Sequence, residues 1–91
     1  MLATRPDDAR LQFGLALEYL KTDRLEEGVE MLQRYLSRAD DQGNAWGRLA
    51  TALRQLGREE EAKEALRKGI LAAERHGHPS MAAELTDALG D

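Results

Sequence analysis

Apolar residues recur along the chain in blocks at helical spacing, and short polar breaks separate the blocks. Large side chains three and four positions apart, such as Leu15 with Tyr19 and Leu49 with Leu53, fall on one side of a helix. Turn-forming residues interrupt the pattern at positions 22–23, 40–44, 57 and 76–78. The pattern therefore predicts helices near residues 7–21, 24–38, 44–56, 58–75 and 79–89, the last with Pro79 in its first turn.

The chain also resembles itself when it is shifted by 34 residues. This shift places Leu15-Ala16 on Leu49-Ala50, and Leu32 on Leu66. A fixed period of this length is typical of helical repeat proteins, in which neighbouring units bury one another's apolar faces. We expect two such units.

The second unit carries the fuller motif: Trp46, Leu49-Ala50, Leu53, Gly57, Ala62, Leu66 and Gly69. This order resembles the tetratricopeptide repeat, whose pattern is W-x2-L-[G/A]-x2-Y, a turn, and A-x3-[F/L]-x2-A. The first unit departs from it at Gln12, Gly28 and Tyr35, and Pro6 stands where the closing proline of a preceding unit would be. The resemblance implies an all-α, TPR-like α-α superhelix of about five antiparallel helices. It also implies a single domain over 1–91, with repeat 1 about 9–42, repeat 2 about 43–76 and a capping helix about 79–89.

The repeat pattern predicts the core. Small residues at Ala16, Gly28, Ala50 and Ala62 allow paired helices to approach closely. The side chains expected to be buried are Leu15, Tyr19, Leu32, Trp46, Leu49, Leu53, Ala62 and Leu66. Asn44 is the expected N-cap of the third helix.

Composition narrows the function classes. The 91 residues carry a net charge of −4, which disfavours nucleic-acid binding because phosphates are neutralised by basic surfaces. No apolar stretch is long enough to cross a bilayer, and residues 1–8 lack the charged-then-apolar run of a signal peptide. There is no cysteine, which excludes disulfides and thiolate metal sites and favours a reducing compartment. We therefore expect a cytoplasmic protein without a nucleic-acid or membrane partner.

No group of residues predicts catalysis. Glu59, Glu60 and Glu61 stand in the first turn of a predicted helix, where the helix dipole favours negative charge, so they need no catalytic explanation. His76 and His78 lack a nearby third metal ligand. Trp46 occupies the core position of the motif and is expected to pack rather than to stack on a ligand. The sequence predicts a non-enzymatic protein with no cofactor and no metal.

The resemblance implies that the first helix of each unit lines a concave, peptide-binding groove. The residues carried over to it are Arg10, Phe13, Leu17, Lys21, Arg48, Thr51, Arg54 and Gln55. The helix at 44–56 carries Arg48 and Arg54 and no acidic residue, which favours an acidic or C-terminal peptide segment as the ligand. The carboxylate clamp that grips chaperone C-termini is not matched, because Phe13, Leu17 and Arg48 replace its Lys and Asn residues.

An alternative is a homodimerisation module of a larger assembly. The helix at 7–21 is apolar nearly all round, and such surfaces usually mark interfaces. Phe13 and Leu17 could anchor a peptide, meet a second copy of the chain, or be covered within the monomer. Two repeats are also fewer than the roughly three usually needed for independent stability.

Overall fold

The computed structural model describes residues 9–90, which form five α-helices and no strand. They are α1 (Ala9–Lys21), α2 (Leu25–Leu36), α3 (Asn44–Gln55), α4 (Glu59–Arg75) and α5 (Pro79–Leu89). Each helix packs mainly against the next one along the chain. The all-α prediction of about five helices is confirmed. The predicted start at residue 7, Pro6 and the segment considered for a signal peptide lie outside the described residues.

The core is built mainly from alanines and leucines. Leu32, Leu53 and Leu66 are the largest fully buried side chains. The small residues of the motif are all buried, as predicted: Ala16, Gly28, Ala50 and Ala62. Leu49 is also buried, whereas Tyr19 and Trp46 are only partly buried. The ring of Trp46 nevertheless packs against the core.

The predicted burial of Leu15 is wrong. Its side chain is 48% exposed, whereas the equivalent Leu49 is 3% exposed. Leu49 lies on α3, which has α2 on one side and α4 on the other. No helix precedes α1 in the described part of the chain, so the corresponding side of Leu15 faces solvent.

At one contact between paired helices, the two units place their larger and smaller residues on opposite helices. The second unit has Trp46 on its first helix and Gly69 on its second. In the second unit, a Cβ atom on Gly69 would lie 2.7 Å from the Cβ atom of Trp46, so α4 can approach α3 there only with glycine. The equivalent pair in the first unit is Gln12 and Tyr35. Gln12 is buried, and the Tyr35 ring packs against the Phe13 ring with centroids 4.9 Å apart and a tilt of 34° between the ring planes. Two of the three departures of the first unit from the motif, at Gln12 and Tyr35, thus fall on one equivalent pair of positions.

Three of the four connections share one turn. The residue after each turn donates its backbone N–H to a carbonyl five residues earlier: Arg24 to Tyr19, Arg58 to Leu53, and His78 to Ala73, each at 2.8 Å. A residue with positive φ stands just before each donor, namely Asp23, Gly57 and Gly77. This bond is the Schellman closure of a helix C-terminus. The predicted breaks near 22–23 and 57 are therefore helix-ending turns.

The connection between α2 and α3 differs, because α2 ends earlier than its counterpart. Residues 37–41 of this loop correspond to residues 71–75, which continue α4. The loop segment contains Ser37 and two aspartates, whereas the α4 segment reads Leu-Ala-Ala-Glu-Arg. The second composition favours helix. The extra turn of α4 contains the buried Ala72 and Ala73. It carries the helix to Arg75, shortly before α5 begins at Pro79.

The first residues of α3 are held by Asp41 rather than by the predicted Asn44. Asp41 Oδ2 accepts hydrogen bonds from the backbone N–H groups of Gly43 (2.8 Å) and Ala45 (2.9 Å). Asn44 is the first residue of the helix, and Gly43 is the N-cap. The Asp41 carboxylate reaches the free N–H groups because Gly43, with φ of 122°, turns the chain sharply.

Candidate functional site

The helices present two faces on which surface depressions lie. We call the side formed mainly by α1, α3 and α5 the first-helix face. The opposite side, formed by α2 and α4 with side chains of α3 between them, is the second-helix face. The predicted groove corresponds to the first-helix face.

Two depressions on the first-helix face share Arg48 and Thr51. One of about 290 Å³ lies between α3 and α5, and its lining includes Arg54, Met81 and Glu84. The other, of about 250 Å³, is lined by Leu20, Leu25, Ala52 and Gln55 in addition to the shared pair. The structure thus brings together four of the predicted residues: Arg48, Thr51, Arg54 and Gln55. Leu20 and Leu25 were not predicted; their place beside the α1–α2 turn was the only indication available.

Arg54 is bound within the chain. Its Nε and Nη2 atoms each lie 3.1 Å from Glu59 Oε2, and its Nη1 donates to the carbonyl oxygen of Ala88 at 2.6 Å. The side chain therefore joins α3 to the start of α4 and to the last turn of α5. Arg48 is exposed and makes no salt bridge with any residue from 9 to 90, so its charge is available to a ligand.

The four predicted residues of α1 line neither depression. Arg10 and Lys21 are exposed near opposite ends of the helix, and Leu17 is partly buried. Phe13 contacts Tyr35 of α2 and packs against the core, because the bulky Tyr35 stands where the motif has a small residue. Its ring contributes to the α1–α2 interface.

Two loops meet beside the first-helix face. Arg75 Nη2 donates to Asp40 Oδ1 at 2.6 Å, and His76 Nε2 lies 3.1 Å from Asp40 Oδ2. The Arg75 bond and then the His76 contact stabilise the carboxylate, which lowers the pKa of Asp40. His78 Nε2 lies 2.6 Å from Gln42 Oε1, so the same loop also touches the turn before α5. Among residues 9–90, no three His, Asp or Glu side chains gather as a metal site would require.

The second-helix face holds a pocket that the sequence did not predict. It has a volume of about 430 Å³ and opens between α2 and α4. Its apolar lining is Leu36, Trp46, Leu49, Leu53 and Ala65, and its polar lining is Gln33, Ser37, Glu61, Glu64 and Lys68. Lys68 Nζ lies 5.7 Å from the centre of the Trp46 ring. Trp46 therefore packs in the core and also forms part of an accessible pocket.

Across the described helices, none combines the length and the apolar character needed to cross a membrane.

Comparison with known proteins agrees with the internal repeat. The family model for the tetratricopeptide repeat matches residues 9–42 and 43–76. The chain is 33% identical over 86 residues to the TPR repeat-containing protein PA0015 of Pseudomonas aeruginosa, an alignment that covers 94% of this chain and 82% of that protein. No solved structure gives a significant match. With two matched repeats and this relative, the chain belongs to the tetratricopeptide repeat family.

Proposed function

We propose that the chain is a protein-binding module whose first-helix face receives an acidic or C-terminal segment of a partner protein. Tetratricopeptide repeats are in general protein–protein interaction modules, which supports the class of partner. The observation that carries the proposal is Arg48, an exposed cation that lines both depressions of this face. An arginine can bind a carboxylate through two parallel hydrogen bonds.

The neighbours of Arg48 support a peptide rather than a small anion. Thr51 and Gln55 provide polar groups one and two turns along α3. Leu20 and Leu25 add apolar surface in the same depression. A segment with a carboxylate at Arg48 could thus place an apolar side chain beside these leucines. Arg54 has a supporting role, because it holds α5 against α3.

We expect Arg48→Glu to weaken binding of an acidic peptide at least about tenfold, since the charge that attracts the carboxylate is reversed. The probe is a hexapeptide rich in Glu with a free C-terminus, titrated into isotopically labelled protein and followed by NMR chemical shifts. Arg34→Glu is the matched control. Arg34 is exposed on α2, so this substitution makes the same change of charge away from the first-helix face. Equal affinity of the wild type and the Arg48→Glu variant would contradict the proposal.

Homodimerisation is the second candidate, and the exposed leucines of α1 favour it. Leu11 is 40% exposed and Leu15 is 48% exposed, one turn apart on the same side of the helix. This side is where α1 would meet a preceding helix in a longer array. A second copy of the chain could cover it.

If the chain dimerises through this side, light scattering across a dilution series should give a dimer mass, and Leu15→Glu should reduce it to a folded monomer. Thr51→Glu with Gln55→Glu tests the first-helix face as the contact instead, because both residues are exposed and line it. A monomer at every concentration would contradict dimerisation and leave the first-helix face open to a peptide.

A further inference from the structure

The pocket on the second-helix face is larger and more apolar in its floor than the depressions of the proposed groove. Leu49 and Leu53, which are 3% and 1% exposed, form its base, and the partly buried Leu36 and Trp46 also line it. Its volume of about 430 Å³ lies within the range of about 300–1,000 Å³ that is usual for ligand sites. It can therefore accept one large apolar side chain.

An acidic trough adjoins this pocket. The trough has a volume of about 470 Å³ and is lined by Glu26, Glu27, Val29, Glu30, Gln33 and Arg58. Gln33 lines both the pocket and the trough, so the two lie side by side along α2. A bound segment could occupy both at once.

The helix dipole explains the positions of only some of the glutamates on the second-helix face. Glu26 and Glu27 stand in the first turn of α2, where a negative charge is favoured by the helix dipole. Glu30 of α2 and Glu64 of α4 lie beyond the first turn, where this effect has faded. They are equivalent residues, 34 positions apart, and they line the trough and the pocket respectively. The repeat thus presents a second pair of carboxylates to the same face.

The local cations leave this acidic charge in excess. Arg58 binds Glu61 through two hydrogen bonds of 2.9 and 2.8 Å, and Arg24 pairs with Glu27 at 3.1 Å. Glu26 and Glu30 make no salt bridge with any residue of the described range. Glu64 pairs with Arg67 at 3.4 Å and lies one helical turn from Lys68, which also lines the pocket. The acidic charge in excess is therefore that of Glu26 and Glu30 in the trough.

We propose that the second-helix face is a separate binding site for a basic protein segment, with a large apolar side chain in the pocket and Lys or Arg side chains over the acidic trough. The charge of the trough favours a basic partner, and the leucine and tryptophan floor favours an apolar anchor. The site lies apart from Arg48 and the first-helix face. One module could therefore hold an acidic and a basic segment at the same time.

The test uses an acetylated, amidated hexapeptide with two lysines on each side of a Leu-Phe pair. We expect it to shift NMR signals of α2 and α4 and to change Trp46 fluorescence at concentrations up to about 1 mM. Replacing Leu-Phe by Ser-Gly should weaken binding about tenfold, because the anchor is lost. The acidic peptide used for the first-helix face should leave these signals unchanged.

The variant pair Glu30→Lys with Glu64→Lys reverses one carboxylate of the trough and one of the pocket, and should weaken binding of the basic peptide about tenfold or more. The matched control is Glu18→Lys with Asp87→Lys, which makes the same change of charge at exposed positions of α1 and α5. Thermal unfolding of both double variants establishes that they remain folded.

Three results would overturn this second site: no shift with the basic peptide, equal weakening by both double variants, or shifts confined to α1, α3 and α5. A change in protein mass on dilution would identify a second copy of the chain as the occupant instead. Failure here leaves the Arg48 experiment unaffected, since that experiment uses a peptide of opposite charge and another face.

Discussion

Leu49→Ala should lower the free energy of unfolding by about 2–5 kcal/mol. The Leu49 side chain is 3% exposed and belongs to the core cluster. Because α2 and α4 pack on either side of α3, shortening this side chain removes apolar contacts and leaves a cavity that three helices would have to close. Urea unfolding followed by circular dichroism measures the loss, and avoids Trp46 as a reporter because it lies beside the mutated site.

Leu15→Ala is the matched control for this experiment. Leu15 occupies the equivalent position of the first unit and undergoes the same chemical change, but it is 48% exposed. We expect a loss below about 1 kcal/mol, since little new cavity forms and alanine favours the helix. Equal losses at the two positions would contradict the difference in burial between α1 and α3.

Gly43→Ala should also destabilise the fold strongly, by about 2–5 kcal/mol. Gly43 has φ of 122°, a conformation that residues with a Cβ atom rarely adopt. The new methyl group would lie 2.8 Å from Met81 Sδ and 3.2 Å from the carbonyl oxygen of Gly69. Met81 can move, but the Gly69 carbonyl belongs to the backbone of α4. The variant should therefore disturb the contact of the α2–α3 loop with both α4 and α5.

Gly57→Ala separates the backbone effect from the steric one. Gly57 has φ of 78°, and no atom lies within 4 Å of the position that a Cβ would take. The expected loss is about 1–2 kcal/mol, from the left-handed conformation alone. Thermal and urea unfolding of both variants give the comparison. A smaller loss for Gly43→Ala than for Gly57→Ala would show that the loop does not pack against α4 and α5 as described.

The helices were predictable because their signals are local. Apolar residues three and four apart mark a buried helix face, and the residues at the turns interrupt it whatever the rest of the chain does. The observed helix bounds accordingly lie within one or two residues of the predicted ones, apart from the predicted start at residue 7, which lies outside the described residues. The capping of α3 was mispredicted because Asp41 and Asn44 are both good capping residues, and only the backbone at Gly43 decides which one reaches the free N–H groups.

The candidate site was predictable only in its general placement on the first helices. Arg48, Thr51 and Gln55 were predicted for that face, and they line it. The role of Arg54 depends on its hydrogen bond to Ala88, which is 34 residues away in sequence. The residue pattern around α3 does not indicate this contact. The pocket on the second-helix face was missed for a similar reason, since its walls come from α2, α3 and α4.

The 34-residue period by itself determined the class of fold, the number of helices and most of the core. These properties follow from the residues of each segment, because a helix face and a turn are formed by neighbours in sequence. The tertiary structure decided that Leu49 is buried and the equivalent Leu15 is not, and that Arg54 binds the Ala88 carbonyl oxygen. It also decided that the apolar pocket opens between α2 and α4. Each of these depends on which helix lies on the other side, and equivalent residues in the two units do not have equivalent neighbours.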